Sequence, residues 1–80
     1  LACGDNIVND TTLTSDLLGC SGNGVNMGAD NIVLDCNGYT LTGSGSGVGV
    51  YLNSVNGNTV KNCNIQNFYR GIHLGDFRIN

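Results

Sequence analysis

The feature that most constrains this 80-residue chain is an imperfect internal repeat. Three strings, Gly24-Val25-Asn26-Met27, Gly49-Val50-Tyr51-Leu52 and Gly71-Ile72-His73-Leu74, share one order: glycine, apolar, polar or aromatic, apolar. The near-regular steps from Gly24 to Gly49 to Gly71 are of the size at which one supersecondary unit makes one turn of a repeating array. A second series runs beside the first. Leu34 aligns with Val60, and Thr40-Leu41-Thr42 aligns with Asn64-Ile65-Gln66, so each turn contains three short segments.

Within each segment apolar and polar residues alternate, and a strand sends successive side chains to opposite faces. The composition agrees with strands: Glu is absent and Ala occurs twice, whereas Val, Ile and Thr are abundant. The same string returns in the same direction after a whole turn, so the strands stack in parallel. Parallel strands ordinarily need helical crossovers. No segment has helical periodicity, and a continuously wound chain meets the parallel geometry without helices. The reading is an all-β parallel β-helix, or β-solenoid, of about three coils with three short strands per coil. Its parts are an N-terminal cap segment over 1–23, coils over 24–48 and 49–70, and the start of a further coil over 71–80. Asn-Gly pairs fall at the corners, where positive φ is needed. The run from Gly43 to Gly47 lacks the G-x-G-x-x-G order and a following helix, so it reads as a corner insertion rather than a phosphate loop.

Net charge is −3, with Lys61, Arg70 and Arg78 the only basic side chains besides a single His, so no basic stripe exists to neutralise phosphates. Nucleic acid is not an expected partner. Membrane insertion is not expected either, because no apolar run approaches the ~20 residues of a span. Cys3, Cys20, Cys36 and Cys63 form an even set without a C-x-x-C pair, which favours disulfides, and hence an oxidising compartment, over zinc. Their number permits three connectivities. Asn9-Asp10-Thr11 is a candidate N-glycosylation sequon. The chain starts at Leu1 rather than Met, as a processed protein or an excised fragment does.

The stretches NIVLDCNGYTLTGSGSGVGVYL and GNTVKNCNIQNFYRGIHL resemble two consecutive coils of the right-handed parallel β-helix repeat proteins of the pectate-lyase-like superfamily, and TTLTSDLLGCSGNGVNMGADN resembles the first coil of secreted members. The resemblance implies a right-handed coil and a secreted, extracellular or cell-surface location. It does not fix an activity, because the superfamily includes polysaccharide lyases, glycoside hydrolases, tailspikes, adhesins and surface proteins. Its enzymes carry acidic residues clustered on adjacent coils. Here Asp5, Asp10, Asp16, Asp30, Asp35 and Asp76 are scattered, and no two align on consecutive coils. No catalytic residue, cofactor or metal site is therefore expected.

Stacking the coils in register brings Asn26, Tyr51 and His73 into one outward column with Arg70 near its end, the candidate glycan contact. Asp35 stands beside Lys61. Burial is expected for Val25, Met27, Ile32, Leu34, Leu41, Val50, Leu52, Val60, Ile65, Ile72 and Leu74, with Asn26, Tyr51, His73, Asp35 and Lys61 exposed. Cys3 should bond Cys20 within the cap segment, and Cys36 should meet Cys63 at matching corners one coil apart. Phe77 and Ile79 alternate around Arg78 as a further strand would, and this end offers a candidate end-to-end contact. The leading functional expectation is an extracellular structural module that self-associates through its solenoid ends, stacking into a filament. The alternative is a glycan-binding or adhesive surface module, and the second alternative is the N-terminal part of a polysaccharide-active enzyme.

Overall fold

A computed structural model describes residues 1–52 and 55–74, with the side chains of 73 and 74 excepted. Phe77 and Ile79 lie outside the described residues, as do the His73 and Leu74 side chains. The described chain is strand and turn throughout. Ten strands follow in order: β1 (Asp5–Ile7), β2 (Thr11–Thr12), β3 (Leu17–Cys20), β4 (Val25–Met27), β5 (Val33–Asp35), β6 (Thr40–Gly43), β7 (Val48–Leu52), β8 (Thr59–Lys61), β9 (Asn64–Gln66) and β10 (Arg70–Leu74). Every third strand joins the same sheet. The orders are β1-β4-β7-β10, β2-β5-β8 and β3-β6-β9, and every pairing is parallel.

This is a solenoid of three coils with the first strand of a fourth, and its register is the one the repeat predicts. Val25 pairs with Val50 and Val50 with Ile72, Leu34 with Val60, and Leu41 with Ile65. Residues 1–23 hold a complete coil of their own, formed by β1, β2 and β3.

Inward-facing side chains make ladders along the axis. Val25, Leu34, Leu41 and Val50 are fully buried, and each such side chain contributes roughly 1.5 to 3 kcal/mol by leaving water. Met27, Ile32 and Leu52 are buried beside them, as expected. Six expected burial states need correction. Val60 and Ile65 are only half-buried, and Ile72 is 52% exposed, because alternation selects the inward face but does not by itself supply the neighbours that cover it. Asn26, Tyr51 and Asp35 are half-buried rather than exposed, since neighbouring rungs and corners cover part of each side chain.

Both disulfides join the expected partners. Cys3 bonds Cys20, closing the first coil, and Cys36 bonds Cys63, tying the second coil to the third, with Cα separations of 5.4 and 4.8 Å. The corners are turned by positive-φ asparagines at Asn31, Asn37, Asn62 and Asn67, the non-glycine residue type that tolerates this region best.

Candidate functional site

The register of the four-stranded sheet aligns the positions expected from the repeat, one rung longer. Asn6 pairs with Asn26, Asn26 with Tyr51, and Tyr51 with His73. Asn6 is not legible in the repeat, because Asp5 stands in front of it where the other strings have Val or Ile.

Beside this column lies a shallow, open groove of about 490 Å³. The amides of Asn6, Asn23 and Asn26 and the ring of Tyr51 line it, and Met27, Gly28 and Val55 complete it. Gly28 matters to its shape, since a Cβ there would come within 2.5 Å of the Asn6 amide oxygen. Among the described residues no charged side chain lines the groove. Its capacity is therefore hydrogen bonding to neutral groups beside one aromatic ring.

The amides are not equally available. Asn26 Nδ2 donates to the Gly4 carbonyl at 3.1 Å, and its Oδ1 accepts from Asn23 Nδ2 at 2.9 Å. Asn23 Oδ1 in turn accepts from the Val48 N–H at 2.9 Å. Asn26 and Asn23 are thus committed to holding coils together, and Asn6 is the exposed amide of the set. Arg70 does not join the groove. Its guanidinium lies 5.5 Å from the Tyr69 ring centroid, and both side chains are exposed.

A second face, on the sheet of β2, β5 and β8, places Asp35 opposite Lys61 as expected. Asp10, Thr12, Asp35 and Lys61 border a smaller groove of about 260 Å³. The Asn62 amide donates to the Asp35 carboxylate at 3.0 Å and the Asn37 N–H at 2.8 Å. These two bonds, then the Lys61 charge, hold the Asp35 carboxyl below its ordinary value against the opposing effect of desolvation.

The remaining described Asp side chains have structural work that the alignment concealed. Asp10 accepts from the Val33 N–H, Asp16 from the Thr40 N–H and Asp30 from the Asn56 N–H, at 2.8 to 2.9 Å, and Asp5 accepts from the Ala2 N–H at 2.8 Å. In the first three cases a carboxylate at the corner of one coil receives the backbone donor stacked on it in the next. Asn23 does the same for Val48. A corner interrupts the strand ladder, and a short side-chain acceptor satisfies the N–H that the ladder leaves behind. Nothing in the sequence of the acceptors reveals this, because the donor is main chain. Among the described residues no group of three His, Cys, Asp or Glu side chains gathers to hold a metal ion. Asn9 is exposed, between β1 and β2, and the Thr11 hydroxyl donates to its carbonyl at 2.9 Å.

No family model, curated protein or solved structure matches the chain.

Proposed function

We propose that this chain is a structural module of an extracellular parallel β-helix, of the right-handed, pectate-lyase-like kind, and that it associates end to end through its C-terminal edge. The observation that carries the reading is the difference between the two ends of the described solenoid. In the first coil Ile7, Leu13, Leu17 and Cys20 are 7%, 1%, 6% and 1% exposed, so the core residues at this end are covered, whereas Leu1, Val8 and Leu18 of the same segment stand exposed outside the core. Towards the other end the ladders open, through half-buried Val60 and Ile65 to Ile72 at 52%. A solenoid protects its ends with atypical, polar capping units. Asp5 and Thr11, which pair with Val25 and Leu34, give the first coil that character. The outer edges of β8, β9 and β10 have no strand beyond them among the described residues, and such an edge is a template for another chain. Two disulfides accord with an oxidising, extracellular setting.

Sedimentation over a range of micromolar concentrations tests this. The expected result is a mass that rises with concentration, that Ile72→Lys returns to the monomer, and that Leu18→Lys, an exposed apolar position of the first coil, leaves unchanged. A single monomeric species for the unaltered chain throughout that range contradicts the proposal.

The uncharged groove supports a second reading, contact with a neutral glycan, in which Tyr51 supplies a ring face and Asn6 an amide. On a glycan array the chain should bind uncharged oligosaccharides, and Tyr51→Ala should remove the signal. No binding by the unaltered chain, or equal binding by both, contradicts it.

A further inference from the structure

The chain contains three Asn-Gly dipeptides whose surroundings differ, at Asn23-Gly24, Asn37-Gly38 and Asn56-Gly57. The reaction open to such a pair is intramolecular. The glycine nitrogen attacks the asparagine Cγ, the new N–Cγ bond closes a five-membered succinimide, the Cγ–Nδ2 bond breaks and ammonia leaves with the proton lost from the glycine N–H. Water then opens the ring at either carbonyl and leaves an aspartyl or an isoaspartyl residue. The reaction needs a glycine N–H that is free to give up its proton and an asparagine side chain that is free to turn towards it.

Asn23 fails on both counts. Its amide is hydrogen-bonded at both ends, the Gly24 N–H donates to the Val48 carbonyl at 2.9 Å, and Gly24 is buried. At Asn37 the side chain is exposed, but the Gly38 N–H donates to the Asn62 carbonyl at 3.0 Å. At Asn56 both residues are exposed, and the Gly57 N–H has no acceptor among the described residues. The Asn56 carbonyl, meanwhile, accepts from the Asn31 N–H at 2.9 Å. That bond draws electron density out of the Asn56-Gly57 peptide and makes its N–H more acidic.

We propose that Asn56 is the site of spontaneous deamidation in this protein, and that the fold protects Asn23 and Asn37. The product alters the corner that leads into β8. Asp30 accepts the Asn56 N–H there at 2.9 Å, so an aspartyl product sets a second carboxylate beside it, and an isoaspartyl product lengthens the backbone between the Asn56 N–H and carbonyl contacts.

The test is incubation of the folded, disulfide-bonded protein at mildly alkaline pH, with peptide mapping that separates asparaginyl, aspartyl and isoaspartyl forms at each site. In the folded protein Asn56 should convert about tenfold faster than Asn37, the scale set by one hydrogen bond to the attacking nitrogen, and faster still than Asn23. In the reduced chain in denaturant the three rates should converge, because the dipeptides are the same. Conversion of Asn37 or Asn23 as fast as Asn56 in the folded protein overturns the proposal, as does the folded ranking surviving unchanged in the denatured chain.

Discussion

Replacing Gly49 by alanine is expected to lower the stability of the protein by about 1 to 3 kcal/mol, the usual cost of forcing extra volume into a packed interior. A Cβ on Gly49 would run into the Ile65 side chain and stand 2.5 Å from the Gly71 carbonyl oxygen. Neither obstacle can step aside cheaply, since one is a half-buried side chain packed against the core and the other is backbone of the next coil. Gly24 is in the same position one coil earlier, with the Gly49 carbonyl at 2.5 Å, Leu41 at 3.0 Å and the Phe68 ring at 3.3 Å. Gly43 completes a glycine-lined seat for Phe68, whose ring would meet its Cβ at 2.6 Å. The glycines that open the first two repeat strings, Gly24 and Gly49, are therefore a requirement of coil-on-coil contact. Gly22→Ala is the control, because an added Cβ there meets nothing within 4 Å and the backbone is not in the positive-φ region. It should leave the urea midpoint unchanged or raise it slightly, through the smaller entropy of the unfolded chain. Equal midpoints for Gly49→Ala and Gly22→Ala would show that the coils are not packed as described.

Removal of the Cys36–Cys63 bridge, by replacing both residues with alanine, is expected to cost roughly 3.5 kcal/mol. That figure is the loop-closure entropy for a separation of 27, and it leaves aside the apolar packing that the two sulfurs supply. Removing Cys3–Cys20, with its separation of 17, should cost slightly less, roughly 3 kcal/mol. Either loss is severe for so short a chain, since even typical native proteins are stable by only about 5 to 15 kcal/mol. Small domains bury too little surface to stand on their cores alone. Chemical denaturation of the two double variants beside the parent measures both. A Cys36→Ala/Cys63→Ala protein as stable as the parent would mean that the second and third coils hold together without the bridge.

Much of this fold is legible in the sequence because a solenoid repeats its instructions. The matches of Val25 with Val50, Leu34 with Val60 and Leu41 with Ile65 give the sheets and their register directly. The first coil escapes the same reading. The step from Asp5 to its partner Val25 is shorter than those from Val25 to Val50 and from Val50 to Ile72. Asp5 and Thr11 also stand where Val25 and Leu34 would predict apolar residues. A coil at the end of a stack has a neighbour on one side only, so its inward positions are not bound to the pattern. Ile72, too, is assigned inward by the alternation and is nonetheless half exposed.

The candidate face divides similarly. The alignment of Asn26, Tyr51 and His73 follows from the repeat, and the register bears it out. That the Asn26 amide is occupied by Asn23 and Gly4 depends on where a corner places them, and corners vary in length from coil to coil. Four residues separate Asp35 from Thr40 in the second coil, and two separate Lys61 from Asn64 in the third. Periodicity cannot report contacts made by the segments that break it.

Among the described residues the coils form a parallel stack in which β4, β5, β6 and β7 are paired on both sides and β1, β2, β3, β8, β9 and β10 on one side. Amide hydrogen exchange resolved by residue tests it most directly. The slowest exchange should fall in β4, β5, β6 and β7, which have a paired strand on each side, with β1 and β3 protected less strongly and β10 exchanging fastest of the paired strands. Protection in β10 that equals or exceeds that of β4, or exchange in β1 and β3 as fast as in β10, would contradict the account.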